Sequence, residues 1–171
     1  MVDTHSPKYI LQHDPSKLTR YECSEILKFD TVYYYGQKAN KCYDTKLPNN
    51  GLDNMEGDYN PVVNDHIAYR YELVKLLGAG SFGRVYKAYD HKHKVFVALK
   101  MLKSKKKFRR QGLVEIQLME KLREGDPHNR NHCITILNRG EFRGHLFIIT
   151  SMLSCDLYAL LAEGDLVGLD C

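Results

Sequence analysis

Cysteine is scarce in this sequence and shows no pairing pattern. The 171 residues contain five cysteines, an odd number, and no C-x-x-C pair. An even set at framework spacing would indicate disulfides, and paired C-x-x-C motifs would indicate zinc. The cysteine usage instead fits a reducing intracellular compartment, the cytoplasm or the nucleus. His91 and His93 form a close pair, but they have no further ligands nearby and indicate a polar hairpin tip, so no metal site is predicted.

Long apolar runs are also missing. No stretch approaches the ~20 apolar residues that span a membrane, and the first residues hold no signal-peptide core. We therefore expect a soluble protein with no membrane partner. The formal net charge is only +4, and the largest basic run extends from Lys103 to Lys107 with Arg109 and Arg110. Its position between a strand and a helix favours a solvated loop and first helical turn, so no nucleic-acid partner is expected.

The sequence does contain a glycine-rich turn that is followed by two strand-like runs and a lysine. Residues 77–100 read L-G-A-G-S-F-G-R-V-Y-K-A-Y-D-H-K-H-K-V-F-V-A-L-K. Glycines at 78, 80 and 83 let the backbone bend over phosphates, so that main-chain N–H groups can point at phosphate oxygens. Ser81 and Phe82 would lie at the tip of the turn. Lys100 ends the apolar run V-A-L, where its ammonium can reach the α- and β-phosphates of ATP.

A lysine in such a strand needs a carboxylate partner, and Glu115 is the predicted one. Glu115 lies within Q-G-L-V-E-I-Q-L-M-E-K-L. The apolar residues of this segment recur at helical spacing and are Leu113, Ile116, Met119 and Leu122. Lys100 and Glu115 are therefore the predicted catalytic pair, with Glu115 on the helix that kinases call αC.

The main competing interpretation of the glycine pattern is a dinucleotide-binding turn. That turn requires a helix at its third glycine. Here residues 85–89 and 95–99 are β-branched or aromatic-rich runs on either side of D-H-K-H, which predicts a hairpin. The glycine turn, the V-A-L-K lysine and the helical glutamate, in this order, favour the ATP cradle of a protein kinase.

The chain is predicted to divide into an accessory segment, residues 1–61, and a kinase-like part, residues 62–171. In the accessory segment we expect the stretch before residue 14 to be disordered or loosely held. A short amphipathic helix is predicted over Pro15 to Asp30, followed by a strand or extended segment over residues 31–36. Residues 49–57 read as a turn-rich connector with little to bury.

The kinase-like part predicts an α+β fold in which a five-stranded antiparallel sheet carries one helix. The strands are expected at residues 69–77, 84–90, 94–102, 133–142 and 146–152, and a short helix at 156–161. The H-R-D, D-F-G and A-P-E motifs of a complete kinase do not occur in the 171 residues. The predicted fold is thus a kinase N-terminal lobe (N-lobe) truncated before the C-terminal lobe, and this chain alone is expected to be inactive.

Several stretches resemble the dual-specificity tyrosine-regulated kinases, the DYRK family. N-D-H-I-A-Y-R-Y-E at residues 64–72 looks like the homology box of that family, and A-Y-D-H-K at 88–92 and M-L-S-x-x-L-Y at 152–158 also match it. The run between Leu18 and Gly51 is similar to the accessory region of class II members. The resemblance implies that the parent kinase phosphorylates its own activation-loop tyrosine and then serine and threonine in protein substrates.

The resemblance also implies an adenine pocket. Leu77 and Val85 would lie above the base, and Ala98 and Ile134 beside it. The whole expected nucleotide site comprises Leu77, Gly78, Ala79, Gly80, Ser81, Phe82, Gly83, Arg84, Val85, Ala98, Lys100, Ile134, Thr150, Ser151, Met152 and Leu153.

The resemblance also implies a hinge at Ser151 to Leu153. Two residues at or next to this hinge depart from the family pattern. Thr150 falls at the gatekeeper position, where phenylalanine is usual, so the space behind it should be larger. Ser151 replaces a common acidic residue, but Ser151 and Leu153 would bind adenine through their backbone. Mg²⁺ would accompany ATP, with its ligands expected beyond Cys171.

Three functions remain open from the sequence. The favoured one is the ATP-binding N-terminal part of a dual-specificity protein kinase, with ATP and protein substrates as partners. The second is a catalytically inactive regulatory or binding module of the same fold. The third is a nucleic-acid binder that uses residues 103–110, which a steep salt dependence of binding would support.

Overall fold

The computed structural model describes residues 4–41 and 43–154. Its main feature is a six-stranded antiparallel sheet with the strand order β1-β2-β3-β4-β6-β5. The strands are β1 His66–Ile67, β2 Tyr71–Gly80, β3 Gly83–Asp90, β4 Val95–Leu102, β5 Ile136–Phe142 and β6 His145–Ser151. The predicted α+β kinase N-lobe is confirmed, and β1 adds a short sixth strand to the five that were expected.

Turn residues set the register of two of the hairpins, β5–β6 and β3–β4. Arg143 and Gly144 join β5 to β6, and both have positive φ angles, 51° and 84°. A two-residue turn of this kind matches the twist of the paired strands. Between β3 and β4, the Lys94 amide donates to the Asp90 carbonyl at 2.7 Å. β6 lies between β4 and β5, and its first six residues are buried.

One long helix, α3 (Lys106–Gly125), packs on the sheet. Its buried residues are Gly112, Ile116 and Met119, whereas Leu113 and Leu122 are 36% and 50% exposed. The buried face is therefore rotated from the predicted one. Gly112 allows this close approach, because a Cβ there would lie 2.1 Å from Cδ1 of Leu102.

The accessory segment is more ordered than the sequence predicted. Helix α1 (Pro7–His13) starts after Ser6, whose hydroxyl accepts from the Tyr9 amide at 3.2 Å, and it buries Ile10. The expectation of a disordered or loosely held stretch is therefore wrong for the described residues before residue 14. Helix α2 (Arg20–Glu25) has a capping box formed by Thr19 and Glu22. It is flanked by 3₁₀ turns at 15–17 and 26–28, so the single helix predicted over Pro15 to Asp30 is broken into pieces.

The later accessory residues also contribute to the interior. Val32 forms an isolated antiparallel bridge with His5, and the amides of Tyr33 and Tyr34 donate to the Tyr69 carbonyl at 2.9 Å and 3.2 Å. The connector at 49–57 was expected to bury little, which is wrong, because Leu52 and Asp53 are only 9% and 7% exposed. The helix predicted at 156–161 lies outside the described residues.

The sheet separates two apolar layers. Alternate strand residues such as Leu99 and Ile149 join Ile10 and Ile26 of the accessory segment in one core cluster. Their neighbours on the other face, Ile148 among them, pack with Ile116 and Met119 of α3 in a second cluster. Because successive strand residues point to opposite faces, the accessory segment lies on one face and α3 on the other. None of the described helices is long and apolar enough to cross a membrane.

A buried ionic network joins the accessory segment to the sheet. The guanidinium of Arg143, 2% exposed, donates to Glu22 and Glu25 of α2 at 2.9 Å each. Glu22 also receives hydrogen bonds from His66 and Lys41, both at 2.9 Å. Burial opposes ionisation of Glu22, but the hydrogen bond and charge of His66 and the charge of Lys41 lower its pKa below the ordinary value. We call these residues, with Asp65, the Arg143 network.

Three members of this network have metal-ligand chemistry. Side-chain atoms of Glu22, Asp65 and His66 lie within 4.8 Å of one another. However, Glu22 is already neutralised by Arg143 and Lys41, and Asp65 lies 3.8 Å from Arg143. The group is best explained as a structural ion network, because its cations come from the protein itself.

Candidate nucleotide-binding site

Lys100 and Glu115 form a close ion pair. Nζ of Lys100 lies 2.6 Å and 2.9 Å from the two carboxylate oxygens of Glu115. β4 positions the lysine and α3 positions the glutamate, one turn beyond the tightly packed Gly112. The side chains are 30% and 39% exposed, so the pair is open to solvent and to a ligand.

The sheet register explains which residues surround this lysine. Lys100 pairs with Val85 of β3 and with Ile148 of β6. Ala98 pairs with Thr150 in the same way. Because residues directly opposite one another share a face, these five side chains form a continuous surface on the α3 side of the sheet.

A cavity of about 630 Å³ opens over this surface. That volume is within the usual range of ligand sites. Ten of the predicted site residues line it: Leu77, Val85, Ala98, Lys100, Glu115, Ile134, Thr150, Ser151, Met152 and Leu153. The walls are mostly apolar, and Lys100 and Glu115 are the charged residues in the lining. Such a cavity can hold a flat apolar group together with an anion.

Three further lining residues were not predicted: Met119, Ile148 and Ser154. Met119 lies four residues after Glu115, so both project from one face of α3. Ile148 lies two residues before Thr150, so both project from one face of β6. These spacings were available in the sequence and could have identified both residues.

The glycine turn lies between β2 and β3 and does not contribute to the described cavity wall. Its predicted members that lie outside the lining are Gly78, Ala79, Gly80, Ser81, Phe82, Gly83 and Arg84. The Phe82 carbonyl accepts from the Lys103 amide at 3.0 Å, and its ring packs edge-on against Phe108. The tip is thus attached to the connection between β4 and α3.

The glycines of this turn differ in whether the packing around them requires glycine. A Cβ on Gly83 would lie 2.1 Å from the Met101 carbonyl oxygen, so this glycine is needed for packing between β3 and β4. A Cβ on Gly78 would meet no protein atom within 4 Å. Packing among the described residues therefore does not require glycine at 78, and its bare backbone is available to a ligand.

Of the predicted site residues, Arg84 lies outside the cavity lining, whereas Thr150 is part of it. The Arg84 guanidinium lies 3.6 Å from the Asp58 carboxylate of the accessory segment. Thr150 is 8% exposed and lines the cavity next to Ala98. The wall at the predicted gatekeeper position is therefore built from small side chains.

The antiparallel sheet, the glycine turn and the Lys100–Glu115 pair together define the N-lobe of a protein kinase. The protein kinase domain family matches residues 71–166. The chain belongs to this family.

The chain also has individual relatives among the DYRK kinases. A Drosophila melanogaster homolog of dual specificity tyrosine-phosphorylation-regulated kinase 3 is 41% identical over 164 residues, which are 95% of this chain and 20% of that protein. The human kinase 3 is 39% identical over 165 residues, 95% of this chain and 28% of that protein. The Dictyostelium discoideum serine/threonine-protein kinase dyrk2 is 41% identical over 164 residues, 95% of this chain and 18% of that protein. The resemblance to the DYRK family is confirmed, and the chain spans less than a third of each relative.

Proposed function

We propose that this chain is the ATP-binding part of a dual-specificity protein kinase, which transfers the γ-phosphate of ATP to serine, threonine and tyrosine hydroxyls of proteins in the cytoplasm or nucleus. The observation that supports this most is the Lys100–Glu115 ion pair at the mouth of an apolar cavity beside a glycine turn. A cation fixed by a carboxylate beside an apolar slot suits a ligand with an aromatic base and phosphates.

The apolar walls suit the adenine base. In this proposal Leu77 and Val85 cover one side of the base, and Ala98 and Ile134 border it. The backbone of Ser151 and Leu153 would supply its hydrogen bonds, because β6 ends at Ser151 and the following main chain is not paired in the sheet.

The phosphates would lie between Lys100 and the glycine turn. Glu115 holds the Lys100 ammonium in place, and the ammonium neutralises the α- and β-phosphates. The bare backbone at Gly78 and Gly80 leaves room for phosphate oxygens to approach main-chain N–H groups. Phosphoryl transfer depends mainly on positioning and charge neutralisation, and these residues would supply part of both.

The described cavity does not provide a Mg²⁺ site of its own. Glu115 is the only carboxylate among its described lining residues, and it is paired with Lys100. Mg²⁺ prefers carboxylates together with phosphate oxygens and water. Because the H-R-D and D-F-G motifs that carry these groups in kinases do not occur in the sequence, we propose that the metal ligands and the group that orients the substrate hydroxyl lie in another part of the kinase, and that this chain alone binds nucleotide without transferring phosphate.

Calorimetric titration with a non-hydrolysable ATP analogue, Mg·AMP-PNP, tests this proposal. Wild-type chain should bind it, and Lys100→Met should weaken binding about 10- to 100-fold, because a charge-assisted hydrogen bond contributes about 1.5–3 kcal/mol. Adenosine has no phosphates, so its affinity should change little.

Lys121→Met is the matched control, because Lys121 is exposed on the same helix as Glu115. It should bind like wild type. A wild-type chain that binds neither ligand would overturn the proposal and favour the inactive binding module. Equal AMP-PNP affinity of Lys100→Met and wild type would also contradict it.

A further inference from the structure

A loop of the accessory segment docks on the connection between β4 and α3. We call residues 53–58 the accessory loop. The Ser104 amide donates to the Gly57 carbonyl at 2.9 Å, and the Ser104 hydroxyl donates to Asp53 at 2.8 Å. The connection held in this way is short, because β4 ends at Leu102 and α3 begins at Lys106.

His145 strengthens this attachment from inside the sheet. Its imidazole is fully buried, and its two ring nitrogens lie 2.8 Å from the Asp53 carboxylate and 2.7 Å from the Leu102 carbonyl oxygen. One side chain of β6 therefore bridges the accessory loop and the end of β4.

Asp58 is the charged centre of the accessory loop. Its carboxylate is 6% exposed and lies 3.4 Å from Lys103 of the connection and 3.6 Å from Arg84, the last residue of the glycine turn. Asn54 fixes the loop itself, since its side-chain oxygen accepts from the amides of Glu56 and Asp58, both at 2.9 Å. The other Asp58 oxygen has no hydrogen-bond partner, so these two cations are the main compensation for the buried charge.

The residues that Asp58 contacts lie in the glycine turn and in the connection between β4 and α3. The Lys103 amide also donates to the Phe82 carbonyl at the tip of the glycine turn. The connection joins the strand that carries Lys100 to the helix that carries Glu115. A shift of the connection would therefore displace the glycine turn and change the Lys100–Glu115 distance together.

We propose that Asp58 of the accessory loop is a positioning residue of the nucleotide site, which acts through Arg84 and Lys103 to hold the glycine turn over the phosphates and α3 in its paired position. This inference rests on the proposed function, because it assigns the accessory segment to the same cavity. Asp58 touches no nucleotide in this proposal and is a positioning residue.

The test compares two ligands and two variants of the 171-residue chain. Asp58→Asn keeps the shape of the side chain and removes its charge. Glu56→Gln is the matched control, because Glu56 also lies within 3.5 Å of Lys103 but is 75% exposed and does not contact Arg84. Affinities for Mg·AMP-PNP and for adenosine are measured by calorimetry, and hydrogen exchange is measured without nucleotide.

Asp58→Asn should weaken AMP-PNP binding about five- to tenfold, because the lost ion pairs with Lys103 and Arg84 act on the phosphates only through the glycine turn and α3, and it should leave adenosine binding unchanged. Amides of residues 79–85 and 102–108 should exchange faster, while those of β5 and β6 should not. Glu56→Gln should resemble wild type in all measurements.

Two results would overturn the inference. One is unchanged AMP-PNP binding and exchange in Asp58→Asn; the other is an equal loss for both ligands with faster exchange throughout the sheet, which would indicate a purely structural role. If wild type binds no nucleotide, the proposed function fails separately. Amide hydrogen exchange of Asp58→Asn, compared with that of wild type, then decides whether Asp58 holds the glycine turn and the connection.

Discussion

At the scale of single residues, the Arg143 guanidinium is enclosed by acceptors from distant parts of the chain. It donates to Glu22 and Glu25 of α2 and to the Tyr59 hydroxyl. Tyr69 lies in the homology-box stretch, is fully buried and donates a hydrogen bond to Glu25. The homology-box stretch therefore belongs to the same interior. Because the acidic groups have little access to water, they depend on this one arginine and on Lys41 for compensation.

Replacement of Arg143 should therefore destabilise the fold strongly. Arg143→Met leaves Glu22 and Glu25 buried with less compensating charge, so we expect the free energy of unfolding to fall by about 3–5 kcal/mol. Urea denaturation followed by circular dichroism measures this change.

Arg109→Met is the control, because the Arg109–Glu141 pair has the same chemistry but both side chains are about half exposed. It should lower the free energy of unfolding by less than about 1 kcal/mol. Equal effects of the two substitutions would show that the Arg143 network contributes no more than a surface ion pair.

The sequence predicted some residue pairs and not others. Lys100 and Glu115 are 15 residues apart and occupy a recognisable strand and helix, so their order along the chain was informative. Arg143 and Glu25 are 118 residues apart, and no local pattern links them. Asp53 fell within the predicted turn-rich connector because its partner, His145, lies 92 residues along the chain, and no sequence pattern singled out Asp58.

At the scale of elements, the position of α3 depends on one glycine. In an exposed helix, Gly→Ala is stabilising by about 1 kcal/mol. At Gly112 the added methyl would collide with Leu102 and lie 2.9 Å from Leu146. Leu102 and Leu146 would have to repack, or the helix would have to move away from β4 and take Glu115, one turn further on, with it.

Gly112→Ala should therefore lower the free energy of unfolding by about 1–3 kcal/mol, the usual cost of overpacking, and weaken Mg·AMP-PNP binding. Thermal unfolding and calorimetry measure both effects. Gly125→Ala is the control at the end of the same helix, where a Cβ meets no atom within 4 Å. If Gly112→Ala matches Gly125→Ala in both measurements, close packing at residue 112 does not set the position of α3.

Element prediction succeeded where the pattern was local. Alternating apolar residues, glycines and the Arg143-Gly144 turn indicated the five main strands, although their ends moved by a few residues. Helix α1 was missed because it has only seven residues, and a helix that short is stabilised mainly by tertiary packing. Burial of Ile10 in the core cluster between the accessory segment and the sheet provides that packing.

At the scale of the whole molecule, the sheet carries the two parts of the chain on opposite faces. The accessory segment packs on one face, while the cavity and α3 occupy the other. The accessory loop reaches around to the β4–α3 connection, where the two sides meet. Through this contact the proposed positioning role of Asp58 would act on the cavity from outside it.

The most direct test of the central claim is to locate nucleotide on the chain by methyl NMR. Isoleucine methyl groups are well placed for this measurement. Ile134 and Ile148 line the cavity, whereas Ile10 and Ile26 of the accessory segment lie in the core cluster on the opposite face of the sheet. Saturating Mg·AMP-PNP should shift the methyl signals of the cavity pair and leave those of the accessory pair in place. No shift at Ile134 and Ile148, or shifts confined to Ile10 and Ile26, would contradict the claim that this cavity binds ATP.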